Sequence, residues 1–522
     1  MSSAETPKQA PPARPLRTIR PWAFLLIALV YLYAFPYFDA LRSAAEIPRI
    51  LTTQELVDHG HMWLDNRLGD MGSRNDLSSA PDGHKYANKP PGPSLLAVPA
   101  YLLCKLVHAT SMRACSWAFR FSAAILPALI FLPFFYRFAR RFSPDETARR
   151  TVLLAYAVGS PALVYGILFM SHQLSAVLVG ASFIAAVAVA RNETWHPGRG
   201  AALAGFLAAL ALMMDYQSLI ATSFVALYLG LRAARKIRAL LFAALGALPP
   251  LFVLMLYHAR AFGSPWKTGY SFADDPNPRN SFGGMVGLSA KSFWNVSFLP
   301  SNGLFVLAPW TLLAVVGFVA LWTNRDARKR VGAEALVCMA IFAAYVVFLS
   351  SLGPYMSRGG WCVGPRYMTT ALPFVAWLAT AGFAAADRTA ATRVLAQATV
   401  WVSAAIFVVA ASTYPHWPDP LANPLYELSF RLLRDGYAVH SMGTLVGLRG
   451  FIATAPLFLL VGALLLWMLT GRGWRRLATS LAACALAVAI IVSYRHFPRS
   501  GAYAERAYGF VTSTWEPRRV GR

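Results

Sequence analysis

Apolar runs recur along almost the whole of this 522-residue chain, each close to the roughly 20 residues that cross a bilayer as an α-helix. Inside lipid every backbone N–H and C=O must find a partner within its own span, so such runs fold as helices. They lie near 21–38, 117–137, 151–168, 172–190, 200–214, 216–232, 237–257, 303–322, 334–352, 367–386, 394–412, 451–470 and 477–493. An all-α polytopic membrane protein of about thirteen transmembrane helices is therefore expected. Composition agrees: 57% of the residues are hydrophobic and 14% charged, against roughly 25% charged in a soluble domain. A soluble enzyme, a disordered chain and a disulfide-stapled secreted domain are all excluded. The five cysteines show no metal-binding spacing, and a Cys104–Cys115 bridge is the one pairing left open.

The net charge of +25 would suggest nucleic acid in a soluble protein. Here its distribution gives a different meaning. The tail 1–20 and the short loops 137–150, 191–199, 232–238, 324–330, 387–393 and 471–476 hold half of the 48 Lys and Arg. Short basic loops stay in the cytoplasm, so the charge is chiefly an orientation signal and no nucleic-acid partner is implied. The segment 93–107 is short, carries two prolines and Lys105, and reads as an interfacial helix; a span there would invert every later loop. The spanning domain is then 21–493, preceded by a cytoplasmic tail. Long segments at 39–116, 258–302 and 413–450 and the C-terminal tail 494–522 face outward. For an Ala-rich chain whose first span is uncleaved, this places it in a bacterial inner membrane with its working face periplasmic.

Polar residues collect on that outer face. Glu46 follows the first span and could act as general base for a sugar hydroxyl; a solvated or helix-capping acid is the plainer alternative. In GHKYANKPPG (83–92) two prolines hold Lys89 in an extended backbone, and Lys85 and Tyr86 lie just before it. A fixed ammonium at the membrane surface suits a lipid phosphate; ordinary snorkelling to the interface is the lesser alternative. GGWCVGPRYM (359–368) carries Arg366 between Trp361 and Tyr367, with Arg358 close by; arginine binds phosphate bidentately. HARAFGSPWKTGY (258–270) and FLPSNGLFVLAPW (298–310) bracket a shaped loop that begins at His258. His172 and Asp215 stand at outer ends of spans, where ionisable groups are candidate site residues. His59 and His61, with His84 and His108, read as surface histidines on a polar loop rather than a metal site, with no acid or cysteine at helpful spacing. No P-loop, GxSxG elbow or HExxH is present, so soluble-type nucleotide or zinc chemistry is not indicated.

Taken together, AEIPRILTTQELVDHG (45–60), DGHKYANKPPG (82–92), FGSPWKTGY, LPSNGLF and GWCVGPRY resemble the GT-C superfamily of integral-membrane glycosyltransferases. The bacterial protein O-mannosyltransferase and lipid A aminoarabinose transferase group is the most similar part of it. The resemblance implies a polyprenyl-phosphate-linked sugar as donor, an outer-face active site, and a catalytic acid in the first outer loop. Glu46 matches that acid, with Asp39 next in line, and Lys89 matches the lysine that contacts the donor phosphate. Arg366 joins Lys89 on chemical grounds. Transfer to a hydroxyl of a lipid, glycan or protein acceptor by inverting single displacement is expected, with no cofactor and no metal. The rival classes are a sugar-lipid transporter or flippase and a non-catalytic partner in polysaccharide assembly. A transporter would show internal repeats and a mid-membrane site, and neither is evident here.

Overall fold

The run at 151–168 shows how burial can imitate a span. In the computed structural model it is two helices, Glu146–Ala157 and Pro161–Gly166. Pro161 has no N–H to continue a helix, and extended Ser160 starts the second one by accepting from the Ala162 amide at 3.1 Å. Leu153, Leu154, Leu163, Val164 and Ile167 are fully buried. The run is apolar because protein surrounds it, not because lipid does. This corrects the expected count. Among the described residues nine helices are long and apolar enough to cross a membrane, and Pro21–Tyr33, Ser218–Arg232 and Pro309–Thr323 are shorter apolar helices.

The described residues are 21–34, 43, 45–71, 76–275, 284–354, 356–437, 439–471 and 473–513; the expected tail 1–20 and Asp39 lie outside them. The segment at 93–107 forms the short helices Gly92–Leu96 and Val98–Leu106, neither long enough to span. The fold is mostly rather than wholly helical. Leu77–Ser79 and Lys85–Ala87 pair antiparallel, Ser78 opposite Tyr86, around a Pro81–Asp82–Gly83 turn in which Gly83 takes φ +87°. The C-terminal segment is also more structured than a tail. Helix Ala502–Ser513 docks on 425–435 through Arg431–Glu505 at 2.6 Å and Tyr508–Asp435 at 2.6 Å. All five cysteines are free, so Cys104 and Cys115 are not bridged.

The loops grouped by charge meet at one end of the bundle. Arg141 pairs with Glu193, Arg191 with Glu334, and Asp387 with both Arg393 and Arg476. Helix Ser171–Ala190 runs from His172 to that end, a length of about 30 Å. Small residues let neighbouring helices close up, as they do inside membranes. Any Cβ on Gly205 would overlap the Ala243 carbonyl, and one on Gly246 the Ala202 carbonyl, so helices Pro197–Met214 and Lys236–Phe262 touch backbone to backbone. The other side of Lys236–Phe262 is bare: only 17% of its most apolar window is buried within the protein.

Candidate active site

The KPPG turn is brought to its place by two glycines. At Gly92 a side chain would strike the Met213 carbonyl, and at Gly269 a Cβ would sit 2.7 Å from the Asn88 carbonyl oxygen. The first contact seats the turn against the residues that lead into Asp215. The second lets the start of the 3-10 turn Gly269–Phe272 lie against Asn88. As a result Lys89 meets Asp76 at 3.3 Å and its ammonium stands 5.0 Å from the Tyr270 ring centroid. Lys89 keeps 14% of its side-chain exposure. Burial pulls its pKa down, but Asp76 and Tyr270 outweigh that and hold it above the ordinary lysine value.

Arg366 opens a 3-10 turn after Pro365. Its guanidinium donates to the Tyr367 hydroxyl at 3.3 Å, its Nε is buried without a partner, and it makes no ion pair among the described residues. Arg49 is a third cation and the most deeply buried of the three, 3% exposed. It donates to the Ala45 carbonyl and likewise has an unpartnered buried Nε. Buried guanidinium nitrogens without acceptors are costly, and an anion with several oxygens would satisfy them.

Asp215 completes this cluster. Its Oδ2 accepts from His172 Nδ1 at 2.8 Å, Gln217 Nε2 at 3.0 Å and Ser171 Oγ at 3.2 Å, leaving Oδ1 without a hydrogen bond among the described residues. Burial pushes the Asp215 carboxyl up, but the His172 and Gln217 hydrogen bonds, with the Arg49 charge, outweigh it and hold it below the ordinary value.

Arg49, Lys89, His172, Asp215, Tyr270, Arg366 and Tyr367 line one narrow pocket. It shares Lys89, Asp215, Tyr270 and Arg366 with a cavity of about 1510 Å³. His258 and Trp361 line that larger cavity, as do Asp76, Asp275 and His416. His258 Nδ1 lies 3.1 Å from the Pro265 carbonyl oxygen, which can only accept, so Nδ1 carries a proton; Nε2 meets the Tyr216 hydroxyl at 2.7 Å. Away from the charges the cavity becomes apolar, walled by Leu219, Ile220, Leu251, Leu254, Val347 and Phe348. One end therefore suits an anion and the other a hydrocarbon chain.

Four expected residues lie elsewhere. Glu46 is fully buried against fully buried Arg120. Arg120 donates to both its oxygens at 2.8 Å, the Phe169 amide donates at 2.7 Å, and His416 Nε2 stands 3.6 Å away. Burial raises the Glu46 carboxyl, yet Arg120 and His416 outweigh it and hold it far below the usual carboxylate range. With its lone pairs so committed and no surface on the cavity, Glu46 sits where a structural acid sits. Lys85 points to Asp274 at 2.8 Å and Ser79 at 2.6 Å. Tyr86 donates to Asp82 at 2.8 Å. Arg358 stands 4.0 Å from Asp419. None of the last three lines the cavity either. His59, His61 and His84 stack about Trp63, away from it.

Arg49, Asp76, Tyr270 and His416 were not singled out from sequence. Arg49 and Tyr270 lie inside the motifs AEIPRI and WKTGY, so the signal was present there; nothing local marks Asp76 or His416.

Fold and site together define a multi-pass helical membrane protein with an amphipathic cavity whose closed end is cationic. No protein-family model matches the chain, and neither does any curated protein. Among solved structures, ArnT from Cupriavidus metallidurans bound to undecaprenyl phosphate is similar at 15% identity and TM-score 0.47, over 93% of this chain and 76% of that one. The arabinosyltransferase EmbB from Mycobacterium smegmatis is similar at 14% identity and TM-score 0.45, over 97% and 44%. The archaeal oligosaccharyltransferase AglB from Archaeoglobus fulgidus, solved with an inhibitory peptide and a dolichol-phosphate, is similar at 13% identity and TM-score 0.40, over 96% and 61%.

Proposed function

We propose that this protein is a glycosyltransferase that moves a sugar from a polyprenyl-phosphate donor to a hydroxyl acceptor. The observation that carries this reading is an amphipathic cavity and the narrow pocket that joins it: Lys89, Arg366 and buried Arg49 on one side, an apolar wall on the other. The apolar arm takes the polyprenyl chain. Lys89, Arg366 and Arg49 take the phosphate, which also fills the empty positions on the two guanidinium groups.

Transfer from such a donor expels a phosphate that gains negative charge as the bond to the anomeric carbon breaks. Fixed cations in a site that excludes water stabilise that charge more than they stabilise the ground state. The acceptor hydroxyl loses its proton to Asp215 Oδ1, and its oxygen forms the new bond on the face opposite the phosphate, inverting the anomeric centre. His172 holds the Asp215 carboxylate in place through Oδ2. This assignment moves the base from Glu46 to Asp215 and keeps Glu46 as the group that positions the surrounding elements. The working face is the one carrying the long segments 39–116, 258–302 and 413–450, which we take as periplasmic.

The test is release of free polyprenyl phosphate by purified protein given a lipid extract containing polyprenyl-phosphate sugars. Lys89→Ala and Arg366→Ala are each expected to slow release by about 10²–10³-fold, the usual consequence of losing one preorganised transition-state partner. Thermal unfolding reports whether the variants are folded. Wild-type rates in both folded variants would refute the phosphate role. A wild-type protein that flips the donor across vesicles without cleaving it would refute the enzyme.

A further inference from the structure

We propose that Glu55, His59 and His61 form a second site, for a divalent cation of the zinc type, at the C-terminal end of helix Ile47–His59. Sequence spacing pointed to no acid beside these histidines, yet the fold brings Glu55 to them. Glu55 stands four residues before His59, and on a helix that separation stacks two side chains on one face. His59 Nδ1 lies 3.0 Å from Glu55 Oε2. Gly60, at φ +76°, then turns the chain back so that His61 Nε2 comes within 3.6 Å of the same oxygen. The three ligand atoms lie within 4.8 Å of one another. A tetrahedral ion with bonds of about 2.0–2.2 Å needs only small side-chain movements to draw them in.

The surroundings fit this role. Trp63 stacks on His61 at 3.6 Å between centroids, 6° from parallel, and His84 stacks on the far face of Trp63 at 4.7 Å. The His61 imidazole is therefore held in one plane before any ion arrives. Glu55 is 2% exposed, and its other oxygen accepts from Arg67 at 3.0 Å. Arg67 also pairs with Asp70 at 2.6 Å, so two carboxylates face one guanidinium and one negative charge remains for a cation. Two imidazoles and one carboxylate suit zinc rather than calcium or magnesium, which take oxygen ligands. None of the three ligands lines the cavity. The ion would act as a clamp, fastening the far end of the helix that carries Arg49 to the Trp63 segment.

The experiment uses untagged full-length protein in detergent, stripped with EDTA and titrated with Co²⁺. Expected are visible ligand-field bands that saturate at a single equivalent and disappear when Zn²⁺ is added. His59→Ala and His61→Ala should each weaken Co²⁺ binding by more than the roughly 10–100-fold that losing an outer partner of a metal site costs. His59→Ala, at a side chain 60% exposed, should not move the unfolding temperature of the metal-free protein. Lack of stoichiometric Co²⁺ binding by the wild type, or wild-type affinity in either folded variant, overturns the site. The result is independent of the transferase reading, because binding is measured without substrate.

Discussion

Asp215→Asn is expected to lower the transfer rate by about 10²–10⁴-fold, the range associated with removing a general base, while leaving the fold and donor binding intact. The amide keeps an oxygen where His172, Gln217 and Ser171 now donate, so the local hydrogen bonds survive and only the proton acceptor is lost. Single-turnover assays separate the two effects: donor affinity stays near wild type and the chemical step slows. A folded Asp215→Asn protein turning over at the wild-type rate would remove Asp215 from the mechanism. The pH profile gives a second check. A base works when ionised, and Asp215 is held below the ordinary Asp value of 3.8. Its ionisation therefore imposes no acid limb between pH 7 and 5, and activity lost in that window would belong to another group.

The second large effect concerns Glu46→Gln, which is expected to destabilise the protein by about 3–5 kcal/mol, the cost of stranding one member of a buried ion pair. Arg120 is fully buried and would lose both of the carboxylate contacts that Glu46 now gives it. The loss should appear as a lower unfolding temperature and, through displaced neighbours, as lower activity. Phe169 binds the same carboxylate and stands three residues before His172. The paired variant Glu46→Leu/Arg120→Met tests which role is real, since removing both charges together is often neutral. Stability and transfer should recover together. If stability returns and transfer does not, Glu46 is the base after all. The pH dependence has a definite sign. A carboxyl whose folded pKa is depressed stabilises the fold above its usual value of 4.5, and that contribution is lost as pH falls below it. Glu46→Gln should flatten this acid limb.

These two carboxylates also show what could be read from the chain. Lys89 and Arg366 were legible because prolines and glycines next to them constrain the backbone locally. Asp215 was legible as an ionisable group at a helix end. Glu46 was legible as important but not in its role, because its partner Arg120 is 74 positions away and no local pattern announces it. Lys85 and Lys89 looked alike in sequence, four residues apart. The hairpin turns one toward Asp274 and the proline turn carries the other into the pocket. The thirteen apolar runs were read from hydropathy, which does not distinguish a lipid neighbour from a protein one. Hence the broken segment at 146–166, buried throughout from 151 onward.

Helix Lys236–Phe262, with most of its apolar surface uncovered, contributes Leu251, Leu254, Met255 and His258 to the cavity wall. One and the same helix thus carries an uncovered apolar side and a side on the cavity, which on the proposed function are the bilayer side and the donor side. A donor that enters past it stays in the membrane throughout, and its availability becomes a two-dimensional quantity. Saturation would follow the mole fraction of donor among the surrounding lipids. Adding inert lipid at constant donor would slow the enzyme, whereas diluting the same vesicles with buffer would not.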